Sequence, residues 1–535
     1  MSITRVAAIA ILLALFAAQP ANAAEPPRPH RMAVQIETSD VATVISDSLC
    51  PPASPNPVPD GQPIIVELPP AGSFTVGQIP ATVWRDPWVD DPTWRLWFES
   101  LRWLMPLARR AQQDNQRQSL AAIIGQATAF QAQNPDPAVP AYGWDEGTAQ
   151  RRLETLNCLY SLTQDAALIP SMKANVAVQF GSRYYGPPYH PVHNHGLMAN
   201  IRVYRAGQLL GIKNWIDTAV YKMGREAPLA FSAKGFAWEQ SSQYQKVLID
   251  LWNEAAAIIG SGSVVDTINA TTTRGRGVFR WLTEPDGKIV QIGDAAKIAG
   301  LPGSSSFPTL RDDAAGYIVG RWSWSDPQTS YYTLRYGPPL RAHGHQDRGG
   351  VTWTTGGARV LVGPGYYTTV ANGWRDYQRG PQGQNVATVV NGTLRTSASV
   401  GLATANVGAS AHGYQMSNAL YGYTHRRYVN VNHPARTLKV TDTFPAGTGS
   451  VRQYWHLDTA WTFASKSTDG RRLVFAHPGG RRLTVTSTGA LYWLVRGSSS
   501  PVAGWNFPEF GTRAAGYQIV FTTSSPRIDT TFAAA

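Results

Sequence analysis

Cysteine is scarce in this chain of 535 residues, which contains only Cys50 and Cys158. Two thiols are too few for a metal cluster bound by cysteine. In an oxidising compartment they can form a disulfide bond, which would fasten an N-terminal arm to a predicted helix. The sequence leaves open whether this bond forms.

Long apolar runs are absent after the N-terminus, so we expect no stable membrane span, because a helix that crosses a bilayer needs about 20 apolar residues. The apolar run at 6–16 is too short. It follows Arg5 and precedes the small residues 21–23, which is the pattern of a secretory signal peptide. We therefore expect residues 1–23 to be removed and the mature protein to be secreted or periplasmic.

Acidic side chains are fewer than basic ones, with 35 Asp and Glu against 47 Lys and Arg. A basic exported protein suits a polyanionic partner. Nucleic acid is one such partner, but the sequence has no basic helix or zinc finger that would read it. An acidic polysaccharide agrees better with export and with the 18 Trp and 22 Tyr, because sugar rings stack on aromatic faces.

The length predicts two or three domains. After the signal, residues 24–78 are rich in proline and are expected to form an extended arm. In residues 79–308 apolar side chains recur at spacings of three and four, which predicts an all-α bundle, solenoid or toroid. From 309 to 535, Val, Thr, Tyr and Trp alternate between turn residues, which predicts a β-sandwich. Stretches predicted to be helical include 119–133, 147–161 and 241–259.

Polar side chains with catalytic potential lie in four clusters along both predicted domains. The clusters are His193-Asn194-His195, Glu239-Gln240-Ser241 leading to Tyr244, Arg341-Ala342-His343-Gly344-His345, and Gly363-Pro364-Gly365-Tyr366-Tyr367 leading to Arg375 and Gln384.

With these clusters, the sequence resembles the heparinase II/III superfamily of polysaccharide lyases, including its alginate-lyase branch. The resemblance covers about 80–460 and includes Trp144-Asp145-Glu146 to Arg152 and Gln453-Tyr454-Trp455-His456-Leu457. It implies an α+β multidomain chain, with an incomplete (α/α) toroid before an antiparallel β-sandwich.

Site residues follow from the resemblance position by position. The catalytic candidates are Asn194, His195, Tyr244, His343 and a second tyrosine, for which Tyr367 is the better match and Tyr366 the next. The candidates for substrate binding are His193, Glu239, Arg341, Tyr366 and Arg375.

These residue types suit β-elimination from a uronic acid. The C5 proton is weakly acidic, so the carboxylate beside it must be neutralised as the enolate forms, and Asn194 and His195 can do this. Tyr244 is expected to act as acid or base, with Tyr367 or a histidine as its partner. A tyrosinate base needs positive charge nearby, which His343 or an arginine can supply.

The chain departs from the family at one place. Many members hold a structural metal, usually zinc, through three positions that read His345, Gly363 and Gln384 here. Glycine has no ligand atom and glutamine is a poor zinc ligand, so we expect no zinc at this place. The sequence indicates no other cofactor and leaves open whether a metal binds elsewhere. We expect Asp347 to pair with His345, and Gln384 to fill the gap by hydrogen bonding.

Two other functions remain open. A glycoside hydrolase would need two carboxylates across the scissile bond, and the candidates are Asp145, Glu146 and Glu239. A polysaccharide-binding protein derived from a lyase would bind without turnover. The sequence has no nucleophile elbow, phosphate loop, His-Glu-x-x-His or Cys-x-x-Cys motif that would indicate a protease, nucleotide enzyme or redox protein. Neither the polysaccharide nor the oligomeric state follows from the sequence.

Overall fold

The structure is a computed structural model that describes residues 49–58, 60–68, 72–79, 92–137, 142–181, 192 and 194–535. The predicted signal peptide, and the arm up to residue 48, lie outside the described residues. The described part of the arm contains a short antiparallel hairpin of β1 (Ile65–Glu67) and β2 (Ser73–Thr75). Val58, Ile64 and Val76 are buried in the core of the helical domain, so this part of the arm is packed against that domain.

The helical domain has nine α-helices within the described residues, and its core is made of their apolar faces. No helix in the described ranges is long and apolar enough to cross a membrane. The helices are α1 (Pro92–Glu99), α2 (Leu104–Gln113), α3 (Arg117–Gln133), α4 (Glu146–Thr163), α5 (Ile169–Phe180), α6 (Asn194–Leu210), α7 (Lys213–Glu226), α8 (Ser242–Ile259) and α9 (Ser263–Trp281).

The two cysteines form the disulfide bond that the sequence left open, with a separation of 108 residues. The bond connects the arm to α4, and two further contacts hold the same stretch of the arm. Arg109 Nη1 donates to the carbonyl oxygens of Cys50 and Pro51, each at 2.8 Å. The Ser54 amide donates to the Pro106 carbonyl at 2.9 Å.

The C-terminal domain consists of antiparallel sheets. A five-stranded sheet contains β3 (Thr309–Asp312), β4 (Tyr317–Arg321), β5 (Tyr331–Arg335), β6 (Val351–Thr355) and β7 (Ala358–Leu361) in that order. The four-stranded sheet contains β8 (Ala387–Val389), β13 (Val451–His456), β17 (Ala490–Arg496) and β22 (Tyr517–Thr523), in the order β17-β22-β13-β8.

The largest sheet has eight strands, and its strand β11 alternates between buried and more exposed residues, as expected where one face covers a core. The strands are β9 (Val400–Val407), β10 (Ala411–Asn418), β11 (His425–Asn432), β12 (Thr437–Thr443), β14 (Thr462–Lys466), β15 (Arg472–Ala476), β16 (Arg482–Ser487) and β23 (Arg527–Ala534), in the order β14-β15-β16-β23-β12-β11-β10-β9. Two small hairpins lie between β17 and β22: β18 (Ser498–Ser499) with β19 (Val502–Ala503), and β20 (Trp505–Asn506) with β21 (Ala514–Ala515).

The five-stranded sheet is a middle layer, and all residues of β4, β5 and β6 are buried. Tyr317 and Tyr331 pack with Trp281 at the end of α9, in a core shared with the helical domain. Ile318 and Tyr332, the next residues along each strand, pack in the core of the sandwich. Because successive side chains of a strand point to opposite faces, this sheet joins the two domains directly. The predicted fold class, a helical toroid domain followed by an antiparallel β-sandwich, is confirmed.

Candidate active site

Tyr244 and His343 form the centre of a site between the two domains. Tyr244 lies in the first turn of α8, where Ser241 is the N-cap and its hydroxyl accepts the Tyr244 amide at 3.3 Å. The Tyr244 ring stacks on the His343 imidazole, with 3.4 Å between ring centroids and 10° between planes. The structure therefore brings together two of the predicted catalytic residues from opposite domains.

Each ring nitrogen of His343 lies near a carboxylate. Nδ1 is 3.2 Å from Asp294 Oδ2, and Nε2 is 3.6 Å from Glu239 Oε2. Burial raises the pKa of Glu239, while His343 and the Asn194 amide act in the opposite direction. The His343 ring is therefore held between two carboxyl groups, one from Asp294 and one from Glu239.

Asn194 joins this group through its backbone. It is the first residue of α6, and its amide donates to Glu239 Oε1 at 2.8 Å. Its side-chain oxygen accepts the His195 amide at 2.8 Å, which leaves the Asn194 Nδ2 group as the side-chain donor. His195 is half-buried beside it. His193 lies outside the described residues, so its predicted role stays a prediction.

Hydrogen bonds connect the two domains at the site, and two residues there have a left-handed backbone conformation. Gln240 has a φ of 58° and Ala342 a φ of 30°, a conformation that residues other than glycine adopt at a cost of about 1–3 kcal/mol. The Gln240 side chain donates from Nε2 to the Pro339 carbonyl at 2.9 Å, and its Oε1 accepts the backbone amide of Arg341 at 2.8 Å. The His343 amide donates to the Glu239 carbonyl at 3.1 Å. These contacts position the loop that carries His343 against the start of α8.

Asp294 is a site residue that the sequence analysis missed. It lies between the domains, its side chain is 1% exposed, and its amide donates to the His343 carbonyl at 2.8 Å. Burial alone would raise the pKa of Asp294, but hydrogen bonds from His343, His345 and Arg375 hold it well below its ordinary value. The carboxylate is thus ionised in the folded protein.

The two arginines predicted to bind substrate have different surroundings. Arg341 is exposed, and its guanidinium carbon lies 5.3 Å from the centroid of the Trp238 ring, at the edge of the site. The Arg375 guanidinium is 14% exposed and bonds both oxygens of Asp294, at 2.7 and 3.0 Å. The structure therefore directs Arg375 towards a protein carboxylate.

Tyr366 and Tyr367 lie in different surroundings. The Arg375 guanidinium carbon is 5.8 Å from the Tyr366 ring centroid. The Tyr367 ring stacks on Phe507 at 5.0 Å and lies 5.4 Å from Trp374. Both tyrosines are close to the helix that carries Arg375, and the predicted catalytic role of Tyr367 stays a prediction.

At the three positions where the resemblance implies a metal site, the structure contradicts one expectation and confirms another. The expected pair of Asp347 with His345 is wrong. Asp347 Oδ1 lies 3.4 Å from Arg335 Nε, and His345 Nε2 lies 3.0 Å from Asp294 Oδ1. Gln384 does fill the gap by hydrogen bonding, as predicted. Its Nε2 donates to the Gln378 carbonyl at 2.8 Å and is 3.3 Å from His345 Nδ1.

Two carboxylates considered for hydrolysis lie elsewhere in the helical domain. Asp145 caps α4, where its side chain accepts the Thr148 amide at 2.8 Å and the Thr148 hydroxyl at 3.1 Å. Glu146 begins the same helix, and its side chain lies outside the described part of the structure. Asp145 therefore has a structural role as a helix cap.

Comparisons with known proteins support the family resemblance. Residues 313–534 match the family model of the heparinase II/III-like C-terminal domain. No curated protein matched the sequence.

Solved structures share the fold across both domains at low sequence identity. Heparinase III has a TM-score of 0.71 at 15% identity, with 84% of this chain and 78% of that chain covered. A mutant heparan sulfate lyase from Pedobacter heparinus has a TM-score of 0.63 at 16% identity, with 90% and 85% covered. Chondroitin AC lyase from Streptomyces coelicolor A3 has a TM-score of 0.52 at 12% identity, with 83% and 75% covered.

Proposed function

We propose that this chain is a member of the heparinase II/III superfamily, since its residues 313–534 match the C-terminal family model. We propose further that it is an exported lyase that cleaves an acidic polysaccharide by β-elimination. The observation that carries this proposal is the stack of Tyr244 on His343, with Asn194 and Glu239 beside it. The formal net charge of +12 agrees with a polyanionic substrate.

The first requirement of the reaction is stabilisation of the enolate. Removal of the C5 proton sends electrons into the carboxyl group at C6, so hydrogen-bond donors must face that group before the proton leaves. The side-chain amide of Asn194 and the neighbouring His195 are the donors that we assign to it. The start of α6 adds positive partial charge on the same side.

The second requirement is a group that moves protons, and we assign it to Tyr244. The C5–H bond breaks, the C4–C5 double bond forms, the bond from C4 to the linking oxygen breaks, and that oxygen receives a proton. Tyr244 can accept the C5 proton or donate the proton that the linking oxygen receives, because the His343 ring that stacks on it can stabilise the charge of a phenolate. An imidazolium at 3.4 Å, held between Asp294 and Glu239, would stabilise a phenolate.

Export is part of the proposal. Two features support it, the pattern of a signal peptide at residues 1–23 and the Cys50–Cys158 disulfide bond. Disulfide bonds form and persist in the periplasm and outside the cell, where polymeric sugars are also found.

Hydrolysis is less well supported by the arrangement of carboxylates. A glycosidase holds the sugar between two carboxyl groups. Here Glu239 and Asp294 lie on opposite sides of the His343 imidazole, which fills the space between them. Since both carboxylates face a protein side chain, they are not placed to flank a scissile bond.

The proposal is tested by incubating the mature protein with a panel of uronic-acid polysaccharides and recording ultraviolet absorbance, because elimination creates a conjugated double bond. We expect absorbance to rise with one substrate, and Tyr244→Phe to lower the rate by about 100-fold or more. Tyr221→Phe is the matched control, since Tyr221 is 62% exposed on α7, and it should keep the full rate. New reducing ends without this absorbance would indicate a hydrolase. Retention of a polysaccharide without cleavage would indicate a binding protein.

A further inference from the structure

The buried carboxylate of Asp294 is the centre of a network that contains both histidines of the His343-Gly344-His345 segment. Its oxygens lie within 3.2 Å of donors on four side chains. The donors are His343 Nδ1 at 3.2 Å, His345 Nε2 at 3.0 Å, Arg375 Nη1 and Nη2 at 2.7 and 3.0 Å, and Gln378 Nε2 at 2.7 Å. This network connects the helical domain's last segment to two separate parts of the sandwich.

A short helix supplies two of these donors. Helix α10 (Gly373–Arg379) places Arg375 and Gln378 three residues apart, so both side chains lie on one face of the helix. The planar guanidinium of Arg375 bonds both oxygens of Asp294, a geometry that fixes direction as well as charge. Gln378 Oε1 accepts the amides of Tyr367 and Thr368, at 2.9 and 3.2 Å. The Gln378 side chain therefore connects Asp294 with the backbone of residues 367–368.

The residues at the family's metal position do not fit a metal ion. At Gly363 an added Cβ atom would lie 2.1 Å from the Gln291 carbonyl oxygen, so a carboxylate ligand has no room unless that backbone moves. The Gln384 side chain points its NH₂ group, a donor, at His345 Nδ1 and the Gln378 carbonyl. Within the described ranges, no group of three or more His, Cys, Asp or Glu side chains is placed to hold a metal.

We propose that the Asp294–Arg375 ion pair takes the structural place of a metal ion in this chain, and that Arg375 is a positioning residue for His343. The Arg375 guanidinium supplies the positive charge and fixes the direction of the Asp294 carboxylate. That carboxylate in turn orients both histidines by hydrogen bonds. Because Nδ1 of His343 is held by Asp294, Nε2 points to Glu239 and the ring face lies on Tyr244. The effect on turnover rests on the proposed lyase function, whereas the structural role of the pair does not.

Removal of the Arg375 side chain should destabilise the folded protein, because Asp294 is buried. Without the guanidinium, the carboxylate keeps its desolvation cost and loses the partner that bonds both of its oxygens, and the loss of one member of a buried pair is strongly destabilising. The His343 ring would then lose its fixed orientation relative to Tyr244. A displacement of about 1 Å in a catalytic group lowers turnover by about 100-fold.

The test compares Arg375→Ala and Arg375→Lys with the wild-type protein by melting temperature, kcat and KM. We expect Arg375→Ala to lower the melting temperature and to lower kcat by about 100-fold, with KM changed by less than about threefold. Arg375→Lys should recover little, since an ammonium group cannot bond both oxygens in the same geometry. Millimolar guanidinium should restore both readouts in Arg375→Ala, and methylammonium at the same concentration should not.

A matched control is Arg527→Ala, because Arg527 forms a bidentate pair with Asp529 at 2.7 and 2.9 Å on the exposed surface of β23. It should change neither kcat nor the response to guanidinium. A rise in KM alone in Arg375→Ala would make Arg375 a substrate ligand and overturn the proposal. Stoichiometric metal in the purified wild-type protein would overturn it as well. If no polysaccharide is cleaved, the lyase function fails, while melting temperature and its rescue by guanidinium still decide the role of the pair.

Discussion

Removal of the Cys50–Cys158 disulfide bond should destabilise the helical domain by an amount that follows from the length of the closed loop. The bond closes a loop of 108 residues. In the chain-entropy description, opening a loop of this length costs about 4.8 kcal/mol at room temperature, because the unfolded chain regains conformational freedom. The double substitution Cys50→Ala with Cys158→Ala removes the bond without leaving a free thiol.

The loss can be measured by urea unfolding and by hydrogen exchange in α2 and α4, two of the helices that the arm contacts. We expect the urea concentration at the midpoint of unfolding to fall and the hydrogen exchange of backbone amides in both helices to accelerate. Amide exchange in the eight-stranded sheet should stay the same. A loss smaller than about 1 kcal/mol would show that the disulfide bond contributes little to the stability of the helical domain. It would mean that the hydrogen bonds of Arg109 and Ser54 hold the arm without the covalent bond.

Two further predictions concern a buried glutamate and a glycine at the site. Burial raises the pKa of Glu226 from its ordinary 4.5 to about 9, so the folded chain keeps a proton that the unfolded chain releases, and stability falls as pH rises between these values. Glu226→Gln should therefore raise the free energy of unfolding at neutral pH by about 3 kcal/mol, seen as a higher melting temperature, and the gain should disappear below about pH 4.5; an equal gain at acidic pH would contradict this. Gly293→Ala should lower both stability and turnover, because Gly293 has a φ of 63° and an added Cβ would lie 2.4 Å from the Gln240 carbonyl oxygen and 2.6 Å from that of His343. Wild-type kcat in that variant would show that the backbone around His343 adapts without cost.

Helices with regular apolar spacing were predictable from the sequence. The predicted stretches 119–133, 147–161 and 241–259 correspond to α3, α4 and α8, with ends that differ by no more than two residues. Their spacing of three and four is a local property, so it can be read without knowledge of the tertiary structure. The middle layer was not predictable in this way, because the faces of β4 and β5 pack on two different cores and both look apolar in the sequence.

The site was predictable where its residues stand in dense motifs. Tyr244 and His343 belong to such motifs, and the structure stacks them. Asp294 stands alone in the sequence between Gly293 and two alanines, and its role depends on contacts with residues about 50 to 84 positions away. The expected pair of Asp347 with His345 was wrong because closeness in sequence does not fix the direction of side chains. Asp347 faces Arg335 on β5 instead.

Elimination and hydrolysis can be distinguished by digesting the polysaccharide in water enriched in heavy oxygen and measuring the product masses by mass spectrometry. Elimination breaks the bond without adding water, so we expect pairs of product ends that contain no heavy oxygen introduced during cleavage. One end of each pair should also be lighter by one water molecule than the corresponding hydrolytic product. Heavy oxygen incorporated at each cleavage would instead show that the enzyme is a hydrolase.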